Sequence, residues 1–249
     1  MGVARSIPAS GDRWTVSVSE HQVPPSPPDA DVPDAVRMQV LATEHWSLLA
    51  TRSITYGAVF SRTAIFLTVV SAAVVALALV AQATDFGDRF YVFALLVLPV
   101  ALFIGLATFI RLIDAWLEDF WLVYGMNRLR HAYLEIAPEL EPNFVTGHHD
   151  DPQGVYETYG PHTQMRLYRL LASTHMVVGV IDGALAGVIV GLLAATLGAE
   201  AALSIVTGAV VTSVSIVFLA HTSRRFIDSG RRSLYSRFGR PVDDGGRRP

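Results

Sequence analysis

The sequence contains no cysteine and no lysine. The first absence excludes disulfides and thiolate metal sites outright. The second leaves arginine to carry all 19 positive charges, which we read as the mark of a biased, GC-rich genome rather than of a chemistry. Charge of either sign is scarce. Only 16% of the 249 residues are charged, against about a quarter in ordinary soluble domains. Catalytic signatures are missing too: there is no G-x-S-x-G, no Walker loop, no H-E-x-x-H and no G-x-G-x-x-G. No catalytic residue is assigned, and the chain is read as not an enzyme.

Apolar sequence is abundant, at 51% of residues, and its distribution sets the fold class. Residues 63–84, 90–110, 176–199 (interrupted only by Asp182) and 201–220 form runs that can each cross a bilayer, since about 20 apolar residues span the hydrocarbon core. The first run begins at Thr63, behind a proline-rich segment, so it is not read as a cleavable signal peptide. The expected fold is all-α, with four transmembrane helices as two hairpins and long cytoplasmic helical extensions.

Arginine placement gives the expected topology. The turns at 85–89 and 198–200 carry one arginine and none, whereas the two ends of the chain and the stretch between the second and third runs hold the rest. By the positive-inside bias both termini and the middle region are cytoplasmic, in a bacterial inner membrane.

In order, residues 1–33, with Pro24, Pro25, Pro27, Pro28 and Pro33, are expected to be disordered. Residues 34–62 should form a cytoplasmic or interfacial amphipathic helix, with Met38, Leu41, His45, Leu48, Leu49 and Tyr56 on one side. The first hairpin occupies 63–110. Pro99 inside its second helix should bend it. Nothing stops that helix before Pro138, so a length of about 70 Å is expected, its lower half beyond the membrane. Cytoplasmic helices and a loop fill 111–175, Pro161 opening a helix into the third span. The second hairpin occupies 176–220, and 221–249 should be a helix to about Phe238, followed by a disordered basic tail.

Two patterns within the spans stand out. Gly179, Gly183, Gly187 and Gly191 recur at every fourth position, continued by Ala195 and Ala199, which lets another helix approach almost backbone to backbone. Asp182 lies inside the same run, about 120° around the helix from that row at 100° per residue. The helix must therefore offer two contacts, and the acidic one is assigned to a symmetry mate or a central axis. A carboxylate at that depth is costly. By residue count Ser215 lies level with it, with Ser213 and Thr212 nearby, and His175 and His221 sit together at the arginine-rich edge. One reading is a polar route for protons or cations through Asp182, Ser215, His175 and His221. The plainer reading is a hydrogen-bonded lock between helices.

His148, His149, Asp150 and Asp151 hold the right atoms for a divalent metal, although their spacing matches no standard ligand pattern. A solvated loop with a turn at Asp150-Asp151-Pro152 is the alternative. Expected partners are the lipid bilayer, further copies of the chain, and anionic lipid at Arg224, Arg225, Arg231 and Arg232; no nucleic acid is expected.

The stretch Ala42-Thr43-Glu44-His45-Trp46-Ser47-Leu48-Leu49, with Arg52-Ser53, Phe60-Ser61-Arg62, Gly125-Met126-Asn127-Arg128 and His148-His149-Asp150-Asp151, resembles a group of bacterial four-span integral membrane proteins with no assigned activity. The resemblance covers the chain from about residue 36 onward and implies no reaction. The layout of paired spans with cytoplasmic helices is also similar to two-span effector domains of bacterial conflict systems. Three function classes follow: a channel or transporter, a non-transporting signalling or effector scaffold, and, last, a metal-dependent membrane enzyme.

Overall fold

The structure, a computed structural model, describes residues 32–160, 173–232 and 235–239. By its contacts the chain divides into residues 1–33 and 34–249, and the elements below all belong to the second unit. The expectations for 1–31, for a helix opening at Pro161 and for the tail beyond Pro241 lie outside the described residues.

The described elements are all helical. Helix α1 runs from Asp34 to Thr84 and α2 from Asp88 to Ile136, followed by a 3-10 turn at Pro138–Asn143; α3 is the short Pro152–Thr158, α4 is Thr174–Thr196 and α5 is Ala201–Arg232. Four of them, α1, α2, α4 and α5, are long and apolar enough to cross a membrane, which makes this a multi-pass membrane protein.

Helix α1, at 51 residues, is about 75 Å long, more than twice the hydrocarbon thickness. The amphipathic segment and the first span expected from the sequence are therefore one unbroken element. Between Asp34 and Thr84 there is no proline, and the one glycine, Gly57, costs only about 1 kcal/mol relative to alanine. Helix α2 likewise continues through Pro99 and past Arg111 to Ile136.

One period governs how these two helices meet. On α1 the sheltered face returns every seven residues, at Met38, His45, Arg52, Val59, Phe66 and Ala73. The buried faces of α2 do the same, at Ala94, Ala101, Thr108 and Ala115, and again at Leu98, Gly105, Leu112, Asp119 and Met126. Seven-residue spacing keeps one stripe facing the partner along the whole length. Leu49 and Tyr56 fall off that stripe and are exposed, in contrast to the expected apolar side.

Helix α1 packs on α2, α2 on α4, and α4 on α5. The main core gathers Phe66 from α1, Leu98, Phe109 and Leu112 from α2, and Val178 and Leu185 from α4. A second cluster, Phe120, Val123 and Tyr124 of α2 with Val155 of α3, lies beyond the apolar run of α2. Of the aromatic residues there, Trp121 remains exposed. Helix α5 leaves Ile205, Val210, Val214, Val217 and Phe218 exposed, a surface that needs lipid or another apolar partner to cover it.

The tight turns use left-handed backbone. Gly198 has φ +85°, a conformation a side chain would oppose, and Asp85 and Phe86 also have positive φ before Gly87. At the far end the sequence expectation needs correction. Helix α5 is described to Arg232, and residues 235–239 are non-helical, so it does not reach Phe238.

Candidate functional site

The glycine row of α4 is the surface that meets α5 of the same chain. A Cβ on Gly183 would come within 2.7 Å of Ile216 Cγ1, and one on Gly187 would overlap Thr212 Oγ1 and the Gly208 carbonyl. Gly191 lies against the backbone of Ser204, whereas Gly179 faces Phe109 of α2. Gly208, which the sequence reading passed over, is the matching small residue on α5: a Cβ there would sit 2.9 Å from Gly187 O. Backbone-to-backbone approach of this kind is what small residues permit in a span.

Asp182 faces the other way, as its 120° offset requires, and its partner is intramolecular. The carboxylate points at Gly105 of α2, where a Cβ would overlap Oδ1, and Phe66 of α1 closes the same spot. No symmetry mate is needed to shelter it. Asp182 is 1% exposed, and among the described residues neither of its oxygens has a hydrogen-bond partner. The lock anticipated from residue counting, with Ser215, Ser213 or Thr212 donating, is not formed. Thr212 belongs to the Gly187 contact, and Ser213 Oγ donates instead to Ala209 O at 2.9 Å within its own helix. His175 is half-buried, with Ser173 Oγ 3.3 Å from its Nε2, and His221 is exposed on α5.

Gly105 is the functional neighbour that sequence reasoning missed. Its signal was present: a glycine inside the apolar run of α2, at heptad spacing from Leu98 and Leu112. Counting residues along α4 and α5 alone could not reveal that α2 faces the acid.

Among the described residues, the two other almost fully buried carboxylates are treated in the opposite way. Asp119, 4% exposed, lies two heptads past Gly105 on the same stripe of α2. Arg52 Nε donates to its Oδ1 at 2.5 Å, and the Tyr159 hydroxyl donates to its Oδ2 at 2.6 Å. Burial, with the Asp119 carboxylate beside it, holds the Tyr159 phenol well above its ordinary value, so it remains a donor at all physiological pH.

Asp150, fully buried, accepts from Arg128 Nε at 2.6 Å, Ser236 Oγ at 2.8 Å, and the backbone N–H groups of Arg237 and Phe238 at 3.0 and 2.7 Å. Burial opposes its charge, but the donors of Arg237, Arg128, Phe238 and Ser236 prevail and hold its pKa below the ordinary carboxylate value. Those donors fasten residues 235–239 across the loop. Tyr124 and Arg128 also donate to the Tyr235 carbonyl, and the Phe238 ring stacks on His131 with centroids 4.4 Å apart.

The cluster His148 to Asp151 is thus not a solvated loop. Asp151 caps α3 by accepting from Gly154 N at 2.6 Å, with Pro152 in the first turn. The His149 carbonyl accepts from Asn127 Nδ2 at 2.9 Å, and the His148 and His149 rings lie side by side with centroids 4.3 Å apart. Among the described residues no three His, Asp or Glu side chains converge as a metal ion requires. Sequence spacing gave no hint that Asp150 would meet a segment more than eighty residues later.

Comparison with protein-family models, with curated proteins and with solved structures yields no match for this chain, so a functional reading has the geometry around Asp182, Asp119 and Asp150 as its foundation.

Proposed function

We propose that the protein is a transporter-like ion- or proton-handling membrane protein, with Asp182 as its intramembrane binding group. The observation that carries this reading is a carboxylate buried in a span with both oxygens unsatisfied. A carboxylate inside the apolar part of a span is costly, and a purely structural acid would recover part of that cost through donors. Asp182 has none, so a proton or a desolvated cation is the partner its chemistry calls for. Gly105 provides the space and Phe66 an apolar wall.

Depth supports the same reading. Gly105 lies six residues, or about 9 Å, from Arg111 at the end of the uncharged run. The acid therefore sits within one apolar turn or two of the arginine-rich edge. Close packing around it favours a gated, carrier-like route over a permanently open pore.

In this reading α1–α2 and α4–α5 form two hairpins with both termini and the 111–175 region in the cytoplasm of a bacterial cell, as the arginine distribution favours. The chain self-associates through its exposed apolar faces, and Arg224 and Arg225 meet anionic lipid. Purified protein in liposomes should dissipate an imposed proton or sodium gradient. Asp182→Asn should abolish the flux, and Asp182→Glu should retain part of it. Absence of flux by the wild type under both gradients would refute the reading.

A second reading has its own support. Asp150 fastens residues 235–239 over the loop, an arrangement suited to a cytoplasmic surface that is covered and uncovered. A non-transporting signalling or effector scaffold would act through that surface. Partner capture that needs residues 143–158, from a protein that passes no ions, would favour it.

A further inference from the structure

A groove of about 550 Å³ lies between α1 and α2, with Thr51 and Thr55 on one wall and Arg111, Asp114, Glu118 and Trp121 on the other. Its position along α2 is informative. Arg111 is one residue and Asp114 four residues past the uncharged run 90–110, which puts both within about 6 Å of the hydrocarbon edge. The headgroup layer is about that thick on each side of a bilayer.

Its charge is informative as well. Arg111 is committed to Glu118, through Nη1 to Oε1 at 2.7 Å and Nη2 to Oε2 at 3.2 Å. That pair is neutral as a unit, and the exposed Asp114 one turn below Arg111 leaves the groove with a net charge of −1. On a side of the molecule rich in arginine, this groove favours a cation over an anion. Arg111 still has N–H donors beyond the two that hold Glu118, since guanidinium carries five. Trp121 supplies an amphipathic ring at the lower end, the kind of side chain that settles among headgroups.

An acid, a spare guanidinium edge and an apolar wall at headgroup depth together match a zwitterion whose cation bears N–H donors. We propose that this groove binds the headgroup of an aminophospholipid, its primary ammonium at Asp114 and its phosphate at the free edge of Arg111. A quaternary ammonium has the charge but no donor for Asp114, and a glycerol headgroup has hydroxyl donors but no positive charge. The inference is independent of whether Asp182 handles ions.

The test is competition for the detergent-purified full chain among phosphatidylethanolamine, phosphatidylcholine and phosphatidylglycerol of identical acyl chains, read by native mass spectrometry. A fourth arm uses soluble glycerophosphoethanolamine. The ethanolamine lipid should be retained at least about tenfold over the glycerol lipid, the factor that one charge-assisted hydrogen bond supplies. Asp114→Asn should erase that preference without changing the melting temperature, because Asp114 is exposed, and Asp114→Glu should restore it. Equal retention of the three lipids, or a preference that survives Asp114→Asn, would overturn the proposal. So would binding of the soluble headgroup as tight as that of the lipid, which would mark a site for a free amine.

Discussion

Gly105 and Asp119 stand two heptads apart on one stripe of α2, and the two ends of that stripe handle a buried carboxylate in opposite ways. At the Asp119 end, outside the apolar run, an arginine and a phenol satisfy the acid. At the Gly105 end, inside it, a missing side chain makes room for Asp182 and nothing donates to it. A protein that can recruit Arg52 from α1 to hold one acid has the means to hold another. Where it does not, the acid is available for exchange. Asp150 falls on the satisfied side of this contrast, with donors from α2 and from residues 236–238.

The largest expected effect is at the satisfied end. Asp119→Ala leaves the part-buried Arg52 guanidinium and the half-buried Tyr159 hydroxyl without their acceptor and should cost about 3 kcal/mol, measured by thermal or denaturant unfolding in detergent. A loss below about 1 kcal/mol would remove the contrast. Next, Gly105→Leu drives a side chain into the space occupied by Asp182 and should cost about 1 to 3 kcal/mol. Adding Asp182→Ala should return much of that loss, since the two changes concern one volume, and strict additivity would show that they do not touch.

The bare end should respond with the opposite sign. Asp182→Leu replaces an unsatisfied acid by an apolar side chain and should raise stability by about 1 to 3 kcal/mol while abolishing ion flux. A destabilised Asp182→Leu protein would mean that the carboxylate has a partner after all.

The smallest effect is local and pH-dependent. Asp150 has its pKa depressed by folding, so its contribution is fully present above the unfolded value of about 4 and is lost as pH falls through the folded value. Hydrogen exchange of the Arg237 and Phe238 amides should therefore accelerate below about pH 4 while α1 and α2 stay protected. Asp150→Asn should produce the same release at neutral pH. Amides that stay protected in both conditions would separate the tail from Asp150.

The sequence showed the four apolar runs, the glycine row and the sheltered position of Asp182, because composition and period are local properties of one helix. The reach of α2 to Ile136 was legible for the same reason: no breaker stands before Pro138. What lay beyond reading was the choice of partner. Asp182 was matched to Ser215 by depth, yet depth says nothing of azimuth, and the offset of about 120° from the glycine row turns the acid from α5 to α2. The fate of Asp150 was hidden because two of its four donors are backbone N–H groups, of residues 237 and 238, which carry no side-chain signature. The helix expected to extend to Phe238 instead gives up its own hydrogen bonds there, and those amides are free to serve the carboxylate.

Whether Asp182 exchanges a proton or a cation is most directly tested by infrared difference spectroscopy of the protein in lipid as pH and sodium are varied between about pH 4 and 10. The expected result is one carboxyl band that appears and disappears with pH or with the cation and is absent from Asp182→Asn. A spectrum in which that substitution leaves every titrating band in place would contradict the assignment of Asp182 as the membrane-embedded binding group.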